Sequence, residues 1–352
     1  MLDRSMIVSL CLALAANGAP SSPSFGRERD VIKVAVTLPY LAEVARAVGG
    51  DAVEVIMLVR PGVDPHHIQP TPAQTMQVGT ADLLLENGMQ LEAWIPRLVA
   101  AAGNEELAPG RSRHRFCTNG LVALEIPTAE DIAAGGHVHP AGNPHIWLDP
   151  LNLKVISQNV ESALAALQPR LAPTFAERRV QFERRIDEAF FGAKLVELIG
   201  GRSLEKLHRG GRLQAFLEKK TLRNGTRLID LLGGWLARAR SMPNRRLFSY
   251  HSTWSYFVRS FGFEVVATLE EKPGIPPGPA HIEALKRIAD DTNTSVVVAP
   301  PYYPRTRIEG FAERIGGQFT LLPTQPGEEG ARDLFDMVDR IFERIENAQK
   351  IP

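Results

Sequence analysis

The chain of 352 residues is long enough for two domains with a sizeable core, and its 44% hydrophobic and 23% charged content is that of an ordinary soluble globular protein. Lys+Arg and Asp+Glu balance at 40 each, so no global field points to nucleic acid or an anionic membrane, and any partner must be read by a specific site.

The N-terminus bears on compartment. Met1-Leu2-Asp3-Arg4 carries one basic residue and precedes the apolar run 6–16, followed by the small-residue stretch Asn17-Gly18-Ala19-Pro20. That run is shorter than the roughly 20 apolar residues a spanning helix needs. It predicts a secretory signal peptide over 1–19 and hence an exported, periplasmic protein. Cys11 lies inside the run behind Val8-Ser9-Leu10, a poor lipoprotein signal. Once the run is removed, Cys117 is the single cysteine left, which excludes an intramolecular disulfide and suggests a buried, inert thiol.

Residues 30–150 read as an N-terminal α/β lobe. A buried strand is predicted over 31–36, a helix over 41–48 stopped by Gly49-Gly50, and a β-branched strand over 52–59 ending at Arg60-Pro61-Gly62. A helix over 71–78, a strand over 81–85 and a helix over 91–101 follow. Strand and helix alternating at short spacing predict a parallel sheet, whose ligand sites gather at the carboxyl ends of its strands. Residues 151–190 read as a helical linker, with helices over 153–167 and 173–188. Residues 191–242 are punctuated by glycine pairs and carry short helices rich in arginine and lysine. Glu205, Glu218 and Asp230 interleave with them, which favours a solvated helical face over nucleic-acid binding. A second α/β lobe over 243–352 repeats the plan, with strands over 247–250, 263–268, 295–299 and 318–322. Its helices are predicted over 255–261, 279–290, 308–315 and 330–348.

Three histidines sit far apart, each in a short segment suited to aim it. They are His66 in Pro61-Gly62-Val63-Asp64-Pro65-His66, His145 in Asn143-Pro144-His145-Ile146-Trp147-Leu148-Asp149-Pro150, and His251 in Phe248-Ser249-Tyr250-His251-Ser252-Thr253-Trp254. Three imidazoles converging from distant loops suggest a first-row transition-metal site, zinc by default. His67 is an alternative to His66. His137 and His139 lie in a Gly/Pro loop that either assists metal capture or is plain surface, and His114, His208 and His281 read as structural. Asp64 and Asp149 read as turn or cap acceptors, either of which could orient an imidazole.

These segments resemble the metal-binding solute-binding proteins of zinc- and manganese-type ABC transporters, the cluster A-I family. The resemblance also rests on Ala81-Asp82-Leu83-Leu84-Leu85-Glu86-Asn87-Gly88 with Leu91-Glu92, on Tyr250-His251 with Tyr256-Phe257, and on Glu271-Lys272-Pro273-Gly274-Ile275-Pro276-Pro277, which matches one subgroup. It extends over about 31–345, with 192–240 looking like an insertion relative to shorter members. The resemblance implies two α/β lobes joined by one long helix, with the metal in the cleft between them and His66, His145 and His251 as ligands. It also implies delivery of Zn²⁺, with Mn²⁺ as the alternative, to a membrane permease by a monomer that is not an enzyme. The family commonly adds an aspartate from the loop after the last strand, where this chain reads Leu321-Leu322-Pro323-Thr324-Gln325-Pro326-Gly327 without a carboxylate. Water, Glu270, Glu271 or a residue of the insertion are the alternatives for that fourth position.

Neutral imidazole is the competent ligand form, so affinity is expected to fall as pH drops through about 6.5. The rivals are a metallohydrolase using zinc-bound water with Glu270 or Glu271 as base, and an adhesin or metallochaperone on the same fold. The chain contains no His-Glu-x-x-His helix to support the first.

Overall fold

The computed structural model describes residues 31–133, 139–272 and 274–350. The predicted signal peptide and His137 lie outside them. The first lobe runs β1 (Ile32–Val36), α1 (Pro39–Gly49), β2 (Val53–Met57), α2 (Pro72–Gly79), β3 (Leu83–Glu86), α3 (Ile95–Ala102), β4 (His114–Phe116) and α4 (Ala129–Ala133). Its sheet is parallel throughout, in the order β2-β1-β3-β4. Every residue of β3 is buried, as expected of a strand covered on both faces by crossover helices. Pro39 opens α1 from its first turn, while Thr71 and Gln74 close a reciprocal capping box at the start of α2.

Then come α5 (Asn152–Leu167), α6 (Ala172–Phe191), α7 (Ala193–Ile199), α8 (Gly201–Arg209), α9 (Leu213–Lys219) and α10 (Gly234–Ser241). The second lobe follows as β5 (Arg246–Ser249), α11 (Ser255–Phe261), β6 (Glu264–Thr268), α12 (Pro279–Thr292), β7 (Val296–Ala299), α13 (Arg305–Arg314), β8 (Gln318–Leu321) and α14 (Leu334–Lys350). Its parallel order, β6-β5-β7-β8, repeats that of the first lobe.

The connection between lobes is a packed pair of helices, of which the 20-residue α6 makes the crossing. Near one end Arg178 donates to the carbonyl of Gly49 at the close of α1 (2.6 Å), and near the other Phe190 stacks on Phe261 of α11 with centroids 5.0 Å apart. The helices after α6 are more than a solvated face. Leu195, Leu204, Leu213, Leu217, Leu228, Trp235 and Leu236 are buried in the main core. Part of their charge is paired: Glu205 of α8 takes Lys154 of α5 (2.7 Å), Arg209 reaches Asp149 (3.2 Å), and Arg238 pairs with Glu346 of α14. At Gly192 (φ +89°) a Cβ would stand 2.8 Å from the Gly233 Cα, so the chain can cross itself there only as glycine.

One large apolar cluster spans the first lobe, the connecting helices, α11, α14 and one face of the second sheet, where Val296 and Val298 point. The alternate residues Val297 and Ala299 face a separate, smaller cluster with Phe248, Leu285, Ile308 and Phe311. Cys117 is fully buried, and burial pushes its thiol well above the ordinary value. No described helix is long and apolar enough to cross a membrane.

Candidate metal centre

Beyond β2 the chain stays on the sheet for two more residues, Leu58 and Val59 bonding to Val36 and Thr37, and then turns to present His66. The turn is set by Asp64, whose Oδ1 accepts from the His66 amide (3.0 Å) and meets its Nδ1 (2.7 Å). Trp94 Nε1 donates to the Pro65 carbonyl (3.0 Å), fixing the residue before the ligand. The same device recurs at the second histidine. Asn143 Oδ1 accepts from the His145 amide (3.0 Å) and meets its Nδ1 (2.9 Å). The Asn143 amide group donates to Glu125 (2.8 Å) and to the carbonyl of Ser252 (2.6 Å), which fixes which end of that side chain faces the ring. His251 follows β5, and its Nδ1 meets Oε2 of Glu270, at the end of β6, at 2.8 Å.

His66, His145 and His251 are all buried, and one ring nitrogen from each lies within 4.8 Å of the others. Ring centroids stand 5.4 Å (His66–His145), 5.7 Å (His145–His251) and 6.0 Å (His66–His251) apart. With every Nδ1 facing an oxygen acceptor, Nε2 is the nitrogen each ring offers to a cation, and the acceptor fixes both tautomer and ring plane. Burial holds the His66 pKa below its usual value against the opposing pull of Asp64, which keeps the ring in the neutral form a metal requires.

Glu270, considered above as a ligand or a base, is instead the partner of His251, with the Gly274 amide as a second donor to the same oxygen (3.1 Å). Glu271 is exposed. Among the described residues no carboxylate joins the three imidazoles in one cluster. His67 turns outward beside His66, whereas His139 brings its ring to 5.2 Å from that of His66 without entering the cluster. Asp149 accepts from the Leu151 amide (3.0 Å), Ser260 (2.9 Å) and Arg209 (3.2 Å), the turn role read for it from the sequence. His114 pairs with Glu86 (2.8 Å), His281 with the Thr268 carbonyl (3.0 Å), and His208 packs edge-on against Phe190. The orienting roles of Asn143 and Glu270 were missed from sequence; the recurrence of an Asx residue two places before His66 and His145 was the available signal for the first.

Comparison with known proteins places these features in a family. The iron-binding protein YfeA of Yersinia pestis is 29% identical over 154 residues, 44% of this chain and 45% of that protein, so the match spans under half of that relative. The high-affinity zinc uptake system protein ZnuA of Bacillus subtilis is 21% identical over 326 residues, covering 91% of this chain and 88% of that one. A crystal structure of ZnuA superposes with a TM-score of 0.66 at 20% identity, covering 91% of this chain and 99% of the other, which shows the shared fold. The family described as zinc-uptake complex component A, periplasmic, matches residues 34–190 and 214–348, leaving out only α7, α8 and their flanks between them. The chain belongs to that family of metal-binding, ABC-transporter substrate-binding proteins.

Proposed function

We propose that this protein captures Zn²⁺ outside the cytoplasm with His66, His145 and His251 and delivers it to the permease of an ABC transporter. The observation that carries the reading is a buried cluster of three imidazoles, each oriented through Nδ1, which no carboxylate joins as a fourth member among the described residues. Nitrogen donors favour zinc over manganese, which prefers oxygen-rich shells. The family membership supports transport, and a relative named as iron-binding makes iron the competitor to test beside manganese. Two ligands come from the first lobe and one from the second, so bound metal ties the lobes together and release parts His251 from the other two. We read the protein as a monomeric periplasmic carrier and not an enzyme, with Glu270 orienting His251 through Oε2 rather than serving as a hydrolytic base.

Titration of the metal-free chain with Zn²⁺, Mn²⁺ and Fe²⁺ against a chromophoric chelator tests this. One tight zinc site, weaker manganese and iron, and a large loss in His251→Ala are the expected outcomes. Normal zinc binding by His251→Ala would refute the ligand set, and tighter manganese or iron binding would change the cargo.

A further inference from the structure

We infer that Glu328 is a positioning residue that clasps the two lobes and thereby sets how tightly and for how long the cation is held. The inference rests on the metal-binding reading of the histidine cluster. Glu328 follows the last strand, β8, in the loop 323–328, and is only 4% exposed. Its Oε2 accepts from the Thr324 amide (2.7 Å), the Thr324 hydroxyl (3.0 Å) and the Gln325 amide (3.1 Å), which shapes its own loop. Its Oε1 crosses to the other lobe and accepts from the Gly62 amide (2.9 Å), on the loop that presents His66.

Two further bonds tie this loop to the first lobe. Trp147 Nε1 donates to the Thr324 carbonyl (2.7 Å), and the Trp147 ring lies 5.6 Å from that of His145. The Tyr40 amide donates to Gln325 Oε1 (3.0 Å). Gly327 (φ +91°) makes the approach possible, since a Cβ there would stand 2.5 Å from Cγ of Pro61. One second-lobe loop thus braces the segments carrying both first-lobe histidines, while His251 arrives on a different second-lobe loop. Where the resemblance leads one to expect a carboxylate that binds metal, this chain uses a carboxylate to hold the lobes together.

Moving His251 away from His66 and His145 must break the bond from Gly62 to Glu328. The three donors of its own loop hold the carboxylate in place, and the Gly62 amide loses its carboxylate acceptor when the lobes part, which makes that break costly. Weakening the clasp lowers the fraction of molecules with converged ligands, and apparent affinity falls in proportion to that fraction.

The test follows Zn²⁺ release from the full chain into excess chromophoric chelator for wild type, Glu328→Gln and Thr324→Val, alongside thermal melts of the zinc-free proteins. Glutamine keeps the size but turns an NH₂ toward backbone donors, and is expected to release zinc about tenfold faster with correspondingly weaker affinity. Thr324→Val removes one of the four donors and is expected to speed release about two- to threefold, with a cooperative zinc-free melt. A folded Glu328→Gln protein with wild-type release and affinity overturns the inference, even if its melting temperature falls, because that pattern is one of stability alone. Should Glu328→Gln fail to fold, wild-type release from Thr324→Val overturns it. A wild-type chain that binds no zinc overturns the histidine reading and the inference with it.

Discussion

The two lobes repeat one sheet order but orient their ligands in opposite ways. In the first lobe His66 and His145 are each aimed by an acceptor two residues upstream in the same loop, Asp64 and Asn143. In the second, His251 takes its acceptor from Glu270, 19 residues further along and at the end of the neighbouring strand. A turn of a few residues suffices to set the first pair, while the third is set only when β5 and β6 have paired. The cores differ as well: the first sheet lies within the large cluster, whereas the second is divided between that cluster and its own small one. The first lobe offers a locally organised pair of ligands, and the second closes on it with a ligand that depends on tertiary structure.

The sharpest way to probe that difference is through the cores. Phe342→Ala in α14 opens the shared cluster, where Phe342 packs on Phe257 and Phe261; Phe311→Ala opens the small one beside Phe248. Each is expected to cost about 3–5 kcal/mol in thermal or denaturant unfolding. Hydrogen exchange should then separate them, with Phe342→Ala deprotecting strands of both sheets and Phe311→Ala deprotecting β5 to β8 alone. Equal deprotection of both sheets in the two variants would mean that the division of the core has no energetic meaning.

Next in size are the orienting residues. Glu270→Ala is expected to weaken zinc binding by roughly 10–100-fold, the usual cost of removing a ligand's supporting acceptor. Asp64→Asn should cost only a few-fold, because an asparagine already performs the same task for His145. Isothermal or chelator-competition titration checks the order, and an equal loss in both variants would contradict the contrast between local and tertiary orientation.

The smallest expected effect belongs to a buried pair behind the first sheet. Burial raises the Glu86 carboxyl to about 8 and lowers His114 to about 4, so it favours the neutral form of each partner in their 2.8 Å contact. Between about 4.5 and 6.5 the proton that the folded chain keeps on Glu86 is matched by the one that the unfolded chain keeps on His114; from about 6.5 to about 8 only the folded chain holds a proton, so stability falls as pH rises through that upper window. Glu86→Gln should reduce the loss between pH 6 and pH 9 by on the order of 1 kcal/mol. A residual slope is expected because Glu92 is also raised to about 8 by burial. An unchanged slope would show that Glu86 is ionised in the fold.

Much of the architecture was legible because strands buried on both faces read as unbroken apolar runs, as Leu83-Leu84-Leu85 and Val296–Ala299 do. β4 carries no such run: His114-Arg115-Phe116 is three residues long and mixes a charge with two rings. The histidines could be picked out because proline, aspartate and asparagine crowd around two of them. Glu270 was visible as a nearby carboxylate but not as a partner of His251, since no periodicity relates the two positions. The contact between Gly62 and Glu328 spans 266 residues, and nothing local in either segment announces it. The helices after α6 misled in another way: their basic residues suggest exposure, while the leucines between them fill the core.

The burial of Cys117 has a practical consequence for handling the protein. A protonated thiol sealed from solvent does not pair with another molecule or donate sulfur to an added cation, and Cys117 is the single cysteine among the described residues. Metal titrations on a chain that starts after Cys11 can therefore be run without dithiothreitol or a similar protectant, which would otherwise sequester zinc through its own sulfur atoms and mask the affinity being measured.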